Sequence, residues 1–415
     1  MSVPAARRKR TESPLSKRIL PYGRQVVEED DVAAVAEALR GDYLTTGPYV
    51  GRFEARLAET VGAEHAVVCA NGTAALHMAA RALDIGPGAR VVVPAITFLA
   101  TASAPHLAGA DVIFADVDPL SGLMRPEDLE SALGRAGPID AVFNVHLNGQ
   151  CGEIESIAKI ARAHGAKIVD DACHALGTGF VAADGSVAGV GDNRFCDASV
   201  FSFHPVKAIA MGEGGAVTTN DAEVASRLML ARNHGMTREP ERFENAHDAF
   251  DENGNPNPWY YELVEPEFNW RASDIQCALG FSQLGKLGRF IARRRALAAF
   301  YDTKLASLAP ALRPVARTRC ALPAWHLYAV LIDFERAAIS RARLMRSLAE
   351  RGVGTQVHYY PVYRQPYYAA LHDAGPLAGA DAYYAKVLSL PLFASMTEAD
   401  VDFVVETLTD CLFGR

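Results

Sequence analysis

A lysine in an apolar stretch and a carboxylate 36 positions before it are the side chains in this sequence best placed to do chemistry together. The lysine is Lys207, in Ser199-Val-Phe-Ser-Phe-His-Pro-Val-Lys207, followed by Gly212-Glu-Gly-Gly215. The carboxylate is Asp171, in Val169-Asp-Asp-Ala-Cys-His-Ala-Leu-Gly177. An amine that captures an aldehyde must be neutral, so its surroundings should disfavour the charged form. Phe203, Pro205, Val206, Ala208, Ile209, Ala210 and Met211 provide such surroundings, and no acid follows until Glu213. A buried carboxylate beside a heterocyclic nitrogen keeps that nitrogen protonated, and the ring then withdraws electrons. A Schiff-base lysine plus such an aspartate is the minimal requirement of pyridoxal 5′-phosphate chemistry. The competing readings are a snorkelling lysine and a turn-capping aspartate pair. The Ser-Phe-His-Pro-Val approach and the glycine-rich exit favour the cofactor.

Asp170 and Asp171 follow a strand-like run, at the strand end where open α/β sheets place ligands. Neighbouring strand residues point to opposite faces, so only one reaches the ring, and Asp171 is assigned to it. His174 either contacts the ring, at its phenolic oxygen or far face, or is a structural histidine. The residues alone leave both open. Asn71-Gly72-Thr73 opens the helix expected over Ala74–Leu83, and amides at a helix start with a threonine hydroxyl suit a phosphate. Gly72, Thr73 and Ala74 are therefore candidate phosphate ligands, although Asn-Gly-Thr is also an ordinary turn and cap. Ser202 is a second hydroxyl candidate. Phe98, in Ile96-Thr-Phe-Leu-Ala-Thr101, is placed to stack on the ring, or else is core.

Strand–helix alternation from about residue 60 must position these groups. Strands are expected at His65–Cys69, Val91–Pro94, Val112–Val117, Ala141–Val145, Lys167–Asp170, Ala198–Phe203 and Ala216–Thr218. Helix-like segments at Ala74–Leu83, Ile154–His164 and Ala222–Arg232 lie between them. That pattern predicts an α/β lobe with a largely parallel sheet. Asp251–Pro258, rich in Asn, Gly and Pro, reads as a loop. Helical periodicity over Ile275–Leu305, a strand-like His326–Asp333, a helix near Arg341–Arg351, an extended Thr355–Tyr360 and a closing helix near Asp400–Leu412 predict a smaller α+β lobe. The division is residues 19–270 and 271–415, after a tail of residues 1–18.

At 415 residues the chain suits two lobes rather than one core. Net charge is −8, and residues 1–18 carry six basic groups against Glu12, so the remainder is near −13. So acidic a body is a poor partner for nucleic acid. The tail lacks the apolar stretch of a secretory signal and reads as disordered. No apolar run approaches membrane-spanning length. The 7 cysteines show no Cys-x-x-Cys pair, which suggests neither a disulfide framework nor a metal site and fits a reducing cytoplasm.

Together these motifs resemble the DegT family of sugar aminotransferases, within the fold-type I (aspartate-aminotransferase-like) pyridoxal-phosphate enzymes. The likeness runs from about Ile19 to Leu412, and is strongest to the pseudaminic acid branch. Its wording includes Tyr22-Gly-Arg-Gln25, Leu44-Thr-Thr-Gly-Pro48, Gly72-Thr-Ala-Ala-Leu-His77, Phe201-Ser-Phe-His-Pro-Val-Lys207, Gln283-Leu, Thr355-Gln-Val-His-Tyr359 and Ser389-Leu-Pro-Leu-Phe393. The lysine–glycine motif is the most specific. The resemblance implies a large domain with a mostly parallel seven-stranded sheet and a smaller C-terminal domain.

It also implies roles. Lys207 would move a proton between substrate carbon and cofactor, Asp171 would hold the ring nitrogen, and Thr73 and Ser202 would bind phosphate. Asn269, in Phe268-Asn-Trp-Arg271, would reach the phosphate of the neighbouring subunit's cofactor, making a homodimer with shared sites. Tyr22, Leu44, Thr45, Thr46, Gly47, Gln356, Val357, His358 and Tyr359 would line a nucleotide-sugar pocket. The implied reaction moves an amino group from L-glutamate to C4 of a UDP-linked 4-keto-6-deoxy sugar. Perosamine-, viosamine- and bacillosamine-type sugars are the alternatives. Trp270, Asn148 and Asp170 depart from the usual family residues without removing a catalytic group. Relatives that act as dehydratases carry histidine in place of the lysine, and Lys207 argues against that activity. A non-catalytic regulatory role is disfavoured by the same lysine and by the acidic body.

Overall fold

Seven short apolar runs become one sheet. A computed structural model of the chain describes residues 19–318, 321–371 and 374–414, so the basic tail lies outside the described residues. The strands are β1 (His65–Cys69), β2 (Arg90–Pro94), β3 (Asp111–Ala115), β4 (Ala141–Val145), β5 (Lys167–Asp171), β6 (Ala198–Ser202) and β7 (Gly215–Thr219). They lie in the order β1-β7-β6-β5-β4-β2-β3. β2, β3, β4, β5 and β6 pair in parallel, whereas β7 runs antiparallel to both its neighbours, β1 and β6. β4 is buried along its whole length, as expected of a parallel strand covered on both faces. The sheet is therefore mostly parallel, as the alternation required.

This topology gathers chain ends at one edge. The carboxyl ends of β1, β2, β4, β5 and β6 lie together with the amino end of β7. Gly215 opens β7 because a Cβ there would overlap the Asn71 carbonyl beyond the end of β1.

Helices α1 (Glu29–Arg40), α2 (Pro48–Val61), α3 (Gly72–Ala82) and α4 (Leu99–Leu107) belong to the first half of the chain. The periodicity of Ile275–Leu305 resolves into two helices, α5 (Asp274–Leu284) and α6 (Leu287–Leu305). Gly285 caps the first, and Lys286 turns the chain into the second. Cys277, Leu284, Leu287 and Ile291 share an apolar core with Phe53 and Leu57 of α2. Leu297, Tyr301 and Leu305, farther along α6, pack instead with Tyr328, Leu344, Leu388 and Leu408. The long helix pair thus serves two cores. The second core lies on a three-stranded antiparallel sheet of β8 (Leu312–Pro314), β9 (Tyr328–Ile332) and β10 (Val387–Leu390). Leu20, from the start of the described chain, joins that core and bridges to Val353. The stretch Thr355–Tyr360 pairs as a strand only at Gln356, opposite Ser389. The rest is loop, because its side chains turn toward a cavity.

One buried polar knot ties α1 to the α5–α6 junction. Asp31 is fully buried and accepts from Ser282 Oγ at 2.6 Å and Gln283 Nε2 at 2.7 Å, and Lys286 Nζ lies 2.8 Å away. Gln283 also donates to the Val26 carbonyl, which pins the N-terminal segment. Asp31→Ala removes the buried acceptor these three donors share and is expected to destabilise the fold by roughly 3 kcal/mol, measured as a lower urea midpoint at unchanged slope.

Candidate active site

At the gathered strand ends lies a cavity of about 840 Å³. Its floor comes from loops and helix starts that directly follow strands. Asn71 caps α3 by accepting the Ala74 amide at 2.9 Å. Gly72 and Thr73, in the first turn, line the cavity, and their amides have no partner within the helix. A Cβ on Gly72 would stand 3.0 Å from Ser202 Cβ and 3.2 Å from Cys173 Sγ. A side chain there would push on both neighbours, and without one the helix start can approach a ligand closely. Ser202 ends β6, and Thr73 and Ser202 both line the cavity. Ala74 does not: it is buried in the core with its amide already capped.

Lys207 and Asp171 line the same cavity. Lys207 shows part of its surface to that space, but protein surrounds it otherwise. Burial lowers its pKa from the usual lysine value, with Cys173 and Asp171 opposing that shift. The amine is thereby eased toward its neutral, nucleophilic form. Asp171, at the end of β5, accepts from Thr101 Oγ1 at 2.6 Å and from the Cys173 amide at 3.1 Å. Thr101 Oγ1 lies 2.7 Å from Thr97 Oγ1. Asp170 points away, toward His146 Nε2 at 3.3 Å and Asn144 Nδ2 at 3.1 Å. Burial alone would raise its pKa, but those contacts outweigh burial and lower it. The alternation of β5 thus separates the two aspartates as expected.

The roof is aromatic. His174 Nε2 is 3.1 Å from the Tyr359 hydroxyl, and their rings stack at 27°. His326 packs on His174 with ring centroids 4.4 Å apart. His358 Nδ1 meets Ser389 Oγ at 2.8 Å, and its ring leans on Tyr22. Phe98 is half exposed at the rim, with its ring 6.0 Å from that of Tyr359. Burial pushes His174 and His326 well below the ordinary histidine value and His358 down to about 3. All three are neutral near pH 7. Burial likewise raises Tyr359 well above 10, so its hydroxyl keeps its proton. Among the described lining residues there is no arginine and no lysine besides Lys207, so anion binding here rests on hydroxyls and amides.

Other residues assigned from the sequence lie elsewhere. Thr46 and Gly47 line a second cavity of about 340 Å³, which shares no residue with the first. Its walls include Asn233, Arg238, Arg242 and Arg271. Asn269 sits beside it, bridged to Asn233 and accepting the Arg271 amide at 3.2 Å. Leu44 and Thr45 are exposed, and Thr45 bridges to Ser273. The reason is the buried Asp274 at the start of α5, which accepts from the Gly47 and Tyr49 amides and holds the segment there. Leu44–Gly47 and Asn269 therefore cluster around the second cavity and do not line the one that Lys207 lines. The sequence reading did not mark Thr97, Thr101, Cys173, His326 or Gln365, and it marked Trp270 only as a departure from the usual family residue. The two threonines flank Phe98 four residues apart, a spacing that carries meaning only once Asp171 is known to lie opposite.

The comparisons agree with this geometry. The sequence model of the DegT/DnrJ/EryC1/StrS aminotransferase family matches residues 25–409. The chain belongs to that family. It is 34% identical over 398 residues to the spore coat polysaccharide biosynthesis protein SpsC of Bacillus subtilis, covering 95% of this chain and 97% of that one. It is similar in structure to Helicobacter pylori PseC, an aminotransferase involved in the biosynthesis of pseudoaminic acid, with TM-score 0.85 and 28% identity over 96% of this chain and 100% of that one. The sugar aminotransferase Spr1654 of Streptococcus pneumoniae, solved in forms with pyridoxal and pyridoxamine phosphate, matches with TM-score 0.82 and 25% identity over 95% and 98%. The fold is that of fold-type I aminotransferases, and pyridoxal 5′-phosphate is the cofactor. The donor set fits it: a depressed lysine, a buried aspartate, and a glycine-lined helix start with two hydroxyls.

The three neutral histidines predict a pH dependence of stability. Their folded pKa values lie below the unfolded value near 6.5, so the unfolded state binds more protons once the pH drops below that value. Stability is full above about pH 6.5 and falls by up to about 1.4 kcal/mol per pH unit per histidine on acidification. Urea midpoints from pH 7.5 to 5 measure this, and His326→Phe is expected to make the slope shallower.

Proposed function

We propose that this family member transfers an amino group from L-glutamate to C4 of a UDP-linked 4-keto-6-deoxy-N-acetylhexosamine. The substrate would be UDP-2-acetamido-2,6-dideoxy-β-L-arabino-hexos-4-ulose, as in pseudaminic acid formation. The observation that carries the transaminase chemistry is Lys207 and Asp171 facing one cavity at the carboxyl end of the sheet. When bound, the cofactor supplies an electron sink for carbanion formation. Lys207 Nζ takes the proton from the donor's α-carbon and later delivers one to C4 of the acceptor. Asp171 accepts the hydrogen bond of the ring nitrogen, and Thr73 and Ser202 donate to the phosphate. His174 and Tyr359, both uncharged, wall the reacting centre and exclude water. Tyr22, Gln356, Val357 and His358 line the same cavity and would contact the sugar.

The likeness to PseC supports the pseudaminic substrate. The identity with SpsC favours a second reading, another keto nucleotide sugar used in a surface polysaccharide. We place the enzyme in the cytoplasm. No helix among the described residues is long and apolar enough to cross a membrane.

We further read the second cluster, Leu44–Gly47 with Asn269, as completing the site of a second copy. Its separation from Lys207 within the chain supports this. Lys207→Ala is expected to lose the visible absorbance of lysine-bound cofactor and at least about 1000-fold in glutamate conversion. Retained absorbance that glutamate discharges normally would refute the lysine's role. Mass spectrometry of a panel of UDP-, GDP- and dTDP-linked keto sugars tests the acceptor, and preference for a GDP or dTDP sugar would overturn the choice. Mixing subunits tests sharing: Lys207→Ala and Asn269→Ala, each weak alone, should together restore about a quarter of wild-type activity through mixed dimers.

A further inference from the structure

We propose that Thr101 is a positioning residue that fixes the carboxylate of Asp171, and that Thr97 supports it by donating a hydrogen bond to the Thr101 hydroxyl. This rests on reading Asp171 as the partner of the cofactor's ring nitrogen. Thr101 lies in the first turn of α4, fully buried, and Thr97 precedes that helix at 2% exposure. Thr101 Oγ1 donates to Asp171 Oδ2 at 2.6 Å, a short bond of the kind made to an ionised oxygen. A hydroxyl has one proton. With that proton given to Asp171, the 2.7 Å contact between the two threonines must be donated by Thr97. The chain therefore has one polarity, from Thr97 to Thr101 to Asp171.

The Cys173 amide holds the other oxygen, Oδ1, at 3.1 Å. Each carboxylate oxygen thus has one fixed protein donor, and the plane of the group is set before any ligand arrives. A carboxylate without the threonine would hold the ring proton more tightly and could rotate. Thr101 touches neither substrate nor the reacting atoms, so its effect passes wholly through Asp171.

The test uses the full-length enzyme, with Thr101→Val, Thr101→Ser and Thr97→Val compared with Asp171→Asn. Three quantities are read: pyridoxal-phosphate affinity of the apoenzyme, kcat against KM for glutamate, and the ¹⁵N resonance of cofactor labelled at the ring nitrogen. Thr101→Val should weaken cofactor binding and lower kcat by about 10- to 100-fold with KM little changed, as for a lost bond to a charged group. Its ¹⁵N resonance should move toward the unprotonated position. Thr101→Ser, which keeps the hydroxyl, should stay close to wild type, and Thr97→Val should fall between. Should the valine variant not fold, Thr101→Ala carries the same expectation. An unmoved ¹⁵N resonance in the hydroxyl-free variant, or equal losses in serine and valine, would overturn the proposal. Asp171→Asn separates the two ideas. If it too leaves resonance and kcat unchanged, the assignment of Asp171 fails. If it abolishes both while Thr101→Val changes neither, only the role of the threonines fails.

Discussion

One enclosed space has to hold an amine that is readily neutral beside a carboxylate that serves as an acceptor. Most of the local structure follows from that demand. Burial depresses Lys207, and the nearby Asp171 and Cys173 resist the shift. The carboxylate needs donors that do not compete for the ligand, and a buried threonine and a backbone amide supply them. Had a guanidinium stood there instead, it would have neutralised the charge meant for the ring. The absence of arginine among the described lining residues is therefore part of the chemistry.

The sheet makes this arrangement rigid. Parallel strands bring successive chain ends to one edge, so β1, β5 and β6 each deliver one element of the site: the helix start, the aspartate and the serine. The antiparallel β7 returns its glycine-rich start to the same edge, where Gly215 lets it pass the Asn71 carbonyl. The C-terminal part of the chain adds the roof, with His326, His358 and Tyr359 closing over the cavity. These three residues come from two loops that lie next to β9 and β10, so the antiparallel sheet sets the height of the roof. The polar knot at Asp31 locks the N-terminal segment that carries Tyr22 to the helices shared by both cores.

Much of this was legible in the sequence. All seven runs marked as strands are strands of the central sheet, because short β-branched runs between amphipathic helices have few other packed solutions. Lys207, Asp171, His174, Thr73, Ser202 and Phe98 line the large cavity together. Ala74 was misplaced because the Asn71 cap, which the sequence also suggested, takes up its amide. The α5–α6 break was hidden because Leu284 and Leu287 both stay buried across it, so the hydrophobic pattern continues through the turn.

By itself the sequence determined the chemistry: a lysine, an aspartate and a helix start of the right types, on elements whose periods are written in the hydrophobic pattern. Local patterns can do this because strand alternation and capping act over a few residues. Only the tertiary structure decided which groups meet. It set Thr101 against Asp171, His326 against His174, and Thr46 and Gly47 in a different cavity from this chain's own lysine. Those contacts join residues tens to hundreds of positions apart, and their geometry is fixed by packing between elements, which no local pattern encodes.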